Sequence, residues 1–390
     1  MRILMAYLNE LADITGGAEK VLCEFSNAMV ERHHSVAILY EGMSDERPYY
    51  DLSFKVKYIN IKNYGVPREY KFSKLQKAYR EIIRLYGKKH IALWYEKRRN
   101  IFRVPACAKV VMEYQPDVII VYDWETNGVF SNVRTACPVI SMIHTSPSFI
   151  FNLATNQELE GLSQSKLIQV LSPEFISSVH EVLPKANIIS IPDPITQIPY
   201  LAKKNINSNR HIIINVARLQ KEAKRQHILI KAFAKLAPKF PDWDVVIWGK
   251  DKEDYKKELQ NLISSLGLKE RVFLKGVTKD IDREYQSADI FALPSAREGF
   301  CMALGEAMSA GLPAVAFRSC PAIHELIDDG VNGIFVDDGI ENFARGLEQL
   351  MKNSDLRIAL GKNAHEKAKK FAPDNVWNQW EKVLMSVYKG

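Results

Sequence analysis

From Ile290 to Ala307 the chain reads IFALPSAREGFCMALGEA, which joins an apolar run to a loop and then to a helical pattern. The apolar run lacks polar alternation, as in a parallel strand that is buried on both faces. The loop contains Glu298 and Gly299, and Glu306 follows Glu298 by about two helical turns. A strand, loop and helix in this order predict one unit of a doubly wound α/β sheet.

Apolar runs and helical patterns alternate along most of the chain, in two blocks separated by a proline-rich connector. Three prolines between residues 192 and 199 disfavour a helix and indicate an extended connection. We therefore predict two Rossmann-like domains with doubly wound parallel sheets, residues 1–193 and 205–373, that face each other across a cleft. Segment 374–390 carries tryptophans at helical spacing, and we expect this helix to pack back onto the first domain.

The predicted strands are short runs rich in Val, Ile and Leu. In the first block they are Ile3–Tyr7, Val36–Tyr40, Val118–Tyr122, Val139–Ile143, Leu167–Leu171 and Ile188–Ile191. In the second block they are Ile212–Val216, Val245–Trp248, Val272–Leu274, Ile290–Leu293, Ala314–Phe317 and Gly333–Val336.

The composition limits the class of protein. The chain has 390 residues, 47% hydrophobic and 25% charged, which is typical of a globular protein of two domains. No apolar run approaches the ~20 residues of a membrane span, and residues 1–7 read as a strand rather than a signal peptide. Five scattered cysteines disfavour a disulfide framework or a zinc site. We therefore expect a cytoplasmic protein.

Two loops carry residues suited to a phosphate group. Gly16 and Gly17 follow the first strand, where paired glycines let a ligand approach the backbone and a helix N-terminus, although a simple turn explains them equally well. Arg218 ends another strand and Lys224 follows six residues later, so that two cations converge on a position suited to a diphosphate. The alternative for this pair is a solvated basic loop.

The Glu298 and Glu306 carboxylates flank the amide groups of a helix N-terminus, which can accept an anionic oxygen. Carboxylates also accept several hydrogen bonds from sugar hydroxyls. Considered alone, the two residues are equally compatible with surface glutamates.

The segment from Glu298 to Glu306 resembles the Glu-x7-Glu signature of the retaining glycosyltransferases of family four, which have the GT-B fold. The flanking segments 288–295, 311–315 and 325–333 add to the resemblance, which covers nearly the whole chain and is clearest from 212 to 340.

The resemblance implies roles for individual residues. Glu306 would hold the nucleotide ribose, and Glu298 the hydroxyls of the donor sugar. Arg218 and Lys224 would hold the diphosphate. The other implied donor-binding residues are Gly16, Gly17, Gly249, Val277, Phe300, Cys301, Met302 and Ala303.

His144 follows a predicted strand, and the resemblance implies a position beside the donor sugar and the acceptor. There His144 and Glu298 would position and stabilise the sugar. Asp123, at the end of another strand, is the predicted acceptor contact. Around Gly249 the chain lacks the second glycine and the proline of the family pattern, which leaves the nucleoside contacts there in doubt.

The formal net charge of +7 is regional, because residues 62–109 carry +11 and the rest of the chain −4. In this part Leu75, Tyr79, Ile82 and Tyr86 follow helical spacing, and a different face holds Lys77, Arg80, Arg84 and Lys88. Such a helix is typical of anionic membrane surfaces. The alternative is that its apolar side chains pack on the domain. No nucleic-acid recognition motif accompanies the charge, so we expect no nucleic-acid partner.

We therefore predict a retaining glycosyltransferase of the GT-B class that moves a hexose or N-acetylhexosamine from a nucleotide-sugar, UDP-linked by preference, to a glycan or lipid-linked glycan. It would use no metal or other cofactor and would work on cell-surface polysaccharide at the inner face of the cell membrane. The alternatives are a nucleotide-sugar or anionic-lipid binding protein without turnover, and a GT-B phosphorylase or epimerase.

Overall fold

The structure is a computed structural model that describes residues 1–12, 14, 16–70, 72–84, 87–200, 210–251 and 254–389, with the backbone alone at 88–90 and 92. Tyr86, much of the polar stretch after the connector and the side chain of Lys88 therefore lie outside the described residues. The chain forms two compact units. Unit 1 contains Met1–Ile191 and Trp377–Gly390, and unit 2 contains Pro192–Val376.

Unit 1 is built on a parallel sheet that has seven strands within the described residues, in the order β3-β2-β1-β4-β5-β6-β7. The strands are β1 Arg2–Tyr7, β2 Ser35–Tyr40, β3 Lys57–Asn60, β4 Val118–Val121, β5 Val139–Ile143, β6 Leu167–Val170 and β7 Ile188–Ser190. The α-helices are α1 Gly17–Glu31, α2 Lys74–Arg84, α3 Lys88–Tyr114, α4 Trp124–Phe130, α5 Pro147–Leu153, α6 Asn156–Ser163 and α7 Phe175–Val182.

The apolar runs of the sequence form the buried centre of this sheet. All four residues of β4 are fully buried, as expected for a parallel strand with helices on both faces. At the C-terminus, α15 (Pro373–Lys389) carries Trp380, whose ring lies edge-on to Phe25 of α1 at 5.4 Å between centroids. The C-terminal helix thus contributes aromatic side chains to the core of unit 1.

Helix α3 has 27 residues and is therefore about 40 Å long, whereas β4 has only four residues. Pro105 divides α3 into a front half before it and a rear half after it. The rear half packs in the core through Ala106, Cys107 and Val110. The front half packs against the segment that leads into α2, since the ring centroids of Phe72 and Trp94 are 5.1 Å apart.

Unit 2 is built on a second parallel sheet, with six strands in the order β10-β9-β8-β11-β12-β13 in the described part of the chain. The strands are β8 His211–Val216, β9 Trp243–Trp248, β10 Val272–Gly276, β11 Ile290–Leu293, β12 Ala314–Phe317 and β13 Gly333–Val336. The α-helices are α8 Lys221–Lys224, α9 Gln226–Leu236, α10 Tyr255–Ser265, α11 Ile281–Ser287, α12 Met302–Ser309, α13 Ile340–Lys352 and α14 Ser354–Ala368.

Each sheet has one point at which the strand order reverses. In unit 1 the chain builds outward from β1 to β3 and then returns to pair β4 with the other side of β1. In unit 2 it builds outward from β8 to β10 and then pairs β11 with β8. Ligands of open α/β sheets bind beyond the carboxyl ends of the strands at such a reversal. The loops after β1, β4, β8 and β11 are therefore the first to consider.

The predicted α/β fold class, with two Rossmann-like parallel sheets, is confirmed. The sequence reading missed β3, which is a short edge strand without a continuous apolar run. The proline-rich connector contains no helix over residues 191–200, as we expected, and it packs on unit 2. Ile195 donates its backbone N–H to Phe371, and Ile198 donates to the Ser309 hydroxyl at 3.1 Å.

Candidate active site

An ion pair joins the loops that follow β8 and β11. Lys224 Nζ lies 2.6 Å from Glu298 Oε2, and the two side chains are only 16% and 7% exposed. Burial lowers the pKa of Lys224, but the Glu298 carboxylate outweighs this effect, and the net pKa is above its ordinary value. Arg218 lies near enough to act against this rise with its own charge. Two cations and a carboxylate therefore meet at the strand-order reversal of unit 2.

A backbone hydrogen bond joins the two loops, because the Ala296 N–H donates to the carbonyl of Ala223, which immediately precedes Lys224, at 2.8 Å. Within the segment after β8, the buried Gln226 side chain donates to the Arg218 carbonyl at 3.0 Å. These hydrogen bonds place Lys224 beside the loop that carries Glu298.

The start of α12 lies between Glu298 and Glu306. Cys301 precedes the helix with a left-handed backbone, φ 65°, and Met302 and Ala303 lie in the first turn. Phe300 is buried, and its ring centroid lies 5.4 Å from that of Phe371, so this contact holds the turn in place. The N–H groups of a first helical turn have no partner within their helix and favour an anion.

Glu306 faces a partner that the sequence did not reveal. The Tyr285 hydroxyl of α11 donates to Glu306 Oε2 at 3.3 Å, and both residues are buried. Burial, followed by the charge of Glu306, raises the pKa of Tyr285 well above its ordinary value, so the phenol remains a donor. Nothing in the sequence around Tyr285 distinguishes it from other tyrosines. Only the packing of α11 against α12 shows that it contacts Glu306.

Gly249 and Val277 follow the neighbouring strands β9 and β10. The Gly249 N–H donates to the Gly276 carbonyl at 2.6 Å. A side chain at Gly249 would meet the Ala217 carbonyl after β8, so a close approach of two backbones requires glycine there. Val277 is 61% exposed at the same sheet edge. This edge offers backbone groups and an exposed apolar side chain, which suit a nucleoside.

In unit 1 the glycine loop is covered by a carboxylate of its own helix. Gly16 precedes α1, and any side chain there would collide with Glu19 Oε2. The Tyr7 hydroxyl at the end of β1 donates to Glu19 Oε1 at 2.7 Å. Glu19 thus occupies the anion-favouring N-terminus of α1, which suits Gly16 and Gly17 to a neutral hydroxyl better than to a phosphate.

His144 and Asp123 follow β5 and β4. The His144 ring lies 4.2 Å from the ring of Tyr122, which immediately precedes Asp123. Asp123 accepts hydrogen bonds from the backbone and hydroxyl of Thr126 at 2.7 and 2.9 Å and from the Asn9 amide at 3.3 Å. Burial raises the pKa of Asp123 to about 6. Both predicted residues therefore lie at the carboxyl edge of the unit 1 sheet.

The basic helix is exposed on its apolar side. Leu75, Tyr79 and Ile82 of α2 are 84, 54 and 53% exposed, so the alternative that they pack on the domain is wrong. Among the predicted basic residues, Lys77 is exposed, while Arg80 turns toward α3 and approaches the Tyr95 hydroxyl at 3.4 Å.

Charges on α2 are partly compensated within the helix, since Arg80 and Arg84 both pair with Glu81, at 2.7 and 2.8 Å. Among the helices of the described ranges, none combines the length and apolar character required to cross a bilayer. Nor do the described residues contain a group of three or more His, Cys, Asp or Glu side chains that could hold a metal ion.

Comparison with known proteins finds related sequences and related folds. Residues 197–367 match the family model described as Glycosyl transferases group 1. The chain is 25% identical over 380 residues to an uncharacterized glycosyltransferase of Haemophilus influenzae, covering 95% of this chain and 96% of that protein. It is 29% identical over 183 residues to a poly(glycerol-phosphate) alpha-glucosyltransferase of Bacillus subtilis, covering 46% of this chain and 26% of that enzyme.

A similar solved structure is a variant of S. aureus TarM in complex with fondaparinux, alpha-GlcNAc-glycerol and UDP. The TM-score is 0.76 at 15% identity, and the match covers all of both chains. At this identity the likeness establishes the fold, and it confirms the predicted GT-B class.

Proposed function

We propose that the whole chain is a retaining glycosyltransferase, because residues 197–367 match the family model of the glycosyl transferases group 1. It moves a hexose or N-acetylhexosamine from a nucleotide-sugar to a glycan or lipid-linked glycan acceptor. The observation that carries the proposal is the meeting of Arg218, Lys224 and Glu298 at the strand-order reversal of unit 2, beside the first turn of α12.

The site suits the departure of a diphosphate. Negative charge builds on the leaving phosphate as the bond to the sugar breaks, and fixed donors aimed at that charge lower the barrier. Arg218, Lys224 and the first-turn amides of α12 supply those donors from the protein itself. We propose on this ground that the reaction needs no metal ion or other cofactor.

The proposed step exchanges one bond at the anomeric carbon for another on the same face of the sugar. The bond from this carbon to the diphosphate oxygen breaks, and a bond to the acceptor hydroxyl oxygen forms. The hydroxyl proton passes to the departing phosphate oxygen. Glu298 and His144 position and stabilise the sugar without attacking it, and Asp123 contacts the acceptor.

The donor in this proposal is UDP-linked. TarM was solved with UDP and alpha-GlcNAc-glycerol, and the Bacillus relative is named as an alpha-glucosyltransferase of poly(glycerol-phosphate). These properties belong to those proteins, and they support a UDP-sugar donor and a cell-surface glycan acceptor here. Glu306, held by Tyr285, is suited to the ribose hydroxyls, because a carboxylate accepts two or more hydrogen bonds.

We also propose that α2 attaches the protein peripherally to an anionic membrane. Its exposed Leu75, Tyr79 and Ile82 offer apolar surface, and Lys77 and Arg84 are exposed on the same short helix. Apolar burial and attraction to anionic lipid act together in such helices, and each basic residue near the surface contributes roughly 1 kcal/mol.

Two substitutions test the site. Lys224→Ala and Glu306→Ala should each abolish sugar transfer and UDP release from a UDP-sugar in protein that remains folded. Lys221→Ala is the matched control, because Lys221 lies on the same helix α8 in an exposed pair with Glu258. Rates close to wild type in both site variants would overturn the assignment.

A thermal-shift screen of UDP-, GDP- and ADP-sugars tests the donor. A ligand at about 100 times its dissociation constant stabilises the folded state by ~2.7 kcal/mol. Stabilisation by UDP-sugars alone supports the proposal. Binding without any UDP release would instead favour a nucleotide-sugar binding protein. Phosphate-dependent cleavage of the donor would indicate a phosphorylase, and epimerised donor an epimerase.

A further inference from the structure

Three neighbouring strands of the unit 1 sheet end in aromatic side chains that contact one another. Tyr7 is the last residue of β1, Tyr122 follows β4 and His144 follows β5, and the three strands lie side by side in the order β1-β4-β5. The Tyr7 and Tyr122 rings meet edge to face, with 5.8 Å between their centroids. The centroids of the Tyr122 and His144 rings are 4.2 Å apart. Tyr122 therefore connects the end of β1 with the predicted site residue His144.

The ring of Tyr122 is held from both ends of the residue. Its backbone N–H donates to the Ala6 carbonyl of β1 at 2.8 Å. Its hydroxyl donates to the Ala18 carbonyl in the first turn of α1 at 2.7 Å. The residue is only 1% exposed. Buried packing and hydrogen bonds of this kind lock a side chain in one rotamer, so the ring offers a fixed surface to its neighbours.

The Tyr122 hydroxyl also links this ring to the glycine loop. Ala18 directly follows Gly17, the first residue of α1. The Tyr7 hydroxyl binds the same turn of the helix, since it donates to Glu19 Oε1 at 2.7 Å. Two tyrosine hydroxyls, from the ends of β1 and β4, thus tie the start of α1 to the carboxyl edge of the sheet. The first turn of α1 and the His144 ring share Tyr122 as a common contact.

The contact with Tyr122 bears on the orientation of His144. The two ring planes are tilted by 33° at the centroid distance given above, so the rings lie one over the other. A side chain that positions a sugar has to keep one orientation, because a misplacement of about 1 Å can lower a reaction rate ~100-fold. Packing against an anchored neighbour supplies such an orientation.

We propose that Tyr122 is a positioning residue of the transfer reaction, which supports the His144 ring and fixes it relative to the glycine loop. The inference rests on the proposed function, in which His144 positions the donor sugar. It adds a residue that the sequence did not single out, because Tyr122 stands there as the last residue of an apolar run. Tyr122 itself acts through His144 and needs no contact with the substrate.

The test is steady-state release of UDP from UDP-glucose, UDP-galactose and UDP-N-acetylglucosamine by the full chain, with water as the acceptor. Tyr122→Leu removes the ring and should lower kcat about 10- to 100-fold, with a change in donor KM below about threefold. Tyr122→Phe keeps the ring and loses only the bond to Ala18, and it should stay within about threefold of wild type. Tyr122→Met also removes the ring but keeps a long apolar side chain, which covers the case in which the leucine variant does not fold.

A double variant separates positioning from a general structural effect. In a His144→Ala background, Tyr122→Leu should cause no further loss of rate, because two residues that act as a unit are not additive. Tyr114→Leu is the matched control. The Tyr114 hydroxyl also donates to a backbone carbonyl of unit 1, that of Ser35 at the start of β2, and this variant should leave the rate unchanged in both backgrounds.

The outcomes distinguish this inference from the proposed function. A low rate in His144→Ala together with wild-type rates in Tyr122→Leu and Tyr122→Met would overturn the role of Tyr122. An equal loss from Tyr122→Leu with and without His144, or an equal loss in the leucine and phenylalanine variants, would also overturn it. A wild-type rate in His144→Ala, or no UDP release by the wild-type protein, would count against the proposed function instead.

Discussion

Lys224 of the β8 loop and Glu298 of the β11 loop form a largely buried ion pair, with 2.6 Å between Nζ and Oε2. Both residues belong to the site that we propose for the donor. In the ligand-free protein, Lys224 and Glu298 neutralise each other's charge. In our proposal the same two charged groups contact the donor. Donor binding then requires an exchange of partners, in which Lys224 turns to the diphosphate and Glu298 to the sugar hydroxyls.

The first prediction concerns this pair. Lys224→Met should lower the free energy of unfolding by about 3–5 kcal/mol, because it leaves the Glu298 carboxylate buried without its partner. The double variant Lys224→Met with Glu298→Gln should recover most of that stability and none of the transferase activity. Chemical denaturation and a UDP-release assay measure the two effects. Lys221→Met, in an exposed pair, should cost less than about 1 kcal/mol. A double variant no more stable than the single one would contradict the prediction.

The second prediction concerns Tyr285, which holds the Glu306 carboxylate. Tyr285→Phe should weaken UDP binding about 3- to 10-fold, the loss of one hydrogen bond worth about 1 kcal/mol. It should weaken the binding of 2′-deoxy-UDP less, since that ligand keeps only one of the two ribose hydroxyls that Glu306 can hold. Tyr255→Phe is a matched control, because this tyrosine pairs with His227 instead. Titration calorimetry with both nucleotides checks the result, and equal losses for both would refute it.

The third prediction concerns pH and Glu158. Burial, with the nearby charges of Glu96 and Glu125, raises the pKa of Glu158 to about 7, so the folded protein binds a proton that the unfolded chain releases near pH 4.5. The stability that the neutral carboxyl provides is complete below pH 4.5 and is lost as the pH rises through 7. Glu158→Gln mimics the neutral form and should remove a decline on the order of 3 kcal/mol.

Denaturation at pH 5 and pH 8 measures that decline. Asp123, with a pKa raised to about 6, contributes in the same direction and should leave part of the slope in place. Glu160→Gln, an exposed change on the same helix α6, should retain the full wild-type slope. A Glu158→Gln slope identical to wild type would show that Glu158 ionises normally.

The fourth prediction concerns α2. Replacement of Leu75 and Tyr79 by Ser should abolish co-sedimentation with vesicles that contain phosphatidylglycerol, and Lys77→Ala with Arg84→Ala should weaken it by roughly 2 kcal/mol at low salt. Binding should also fall as salt rises. Met112→Ser and Lys109→Ala change exposed residues on the rear half of α3 and should have no effect. Binding to neutral phosphatidylcholine as strong as to the anionic vesicles would rule out the role of charge.

The sequence predicted those parts of the fold that depend on local pattern. The continuous apolar run at Ile290–Leu293 became β11 with the predicted bounds. β3 at Lys57–Asn60 was missed, because an edge strand is only partly buried and needs no such run. The spacing of Leu75 and Tyr79 indicated a helix correctly, but periodicity identifies an apolar face without telling what covers it.

The candidate site divides in the same way. Glu298, Glu306 and the glycines stand in a recognisable motif, whereas Tyr285 gains its interest only from its contact with Glu306 on the next helix. The position of Tyr285 depends on how α11 packs against α12, and no spacing rule in the sequence encodes that packing.

Pro105 removes one backbone hydrogen bond from α3. The proline has no N–H to donate to the Ile101 carbonyl, so this bond is missing between the two halves of the helix. The rear half is held in the core by Cys107 and Val110, while the front half carries α2 through the contact of Arg80 with Tyr95. Helix α2, with its exposed apolar and basic side chains, is therefore attached to the core of unit 1 through a turn of α3 that lacks this hydrogen bond.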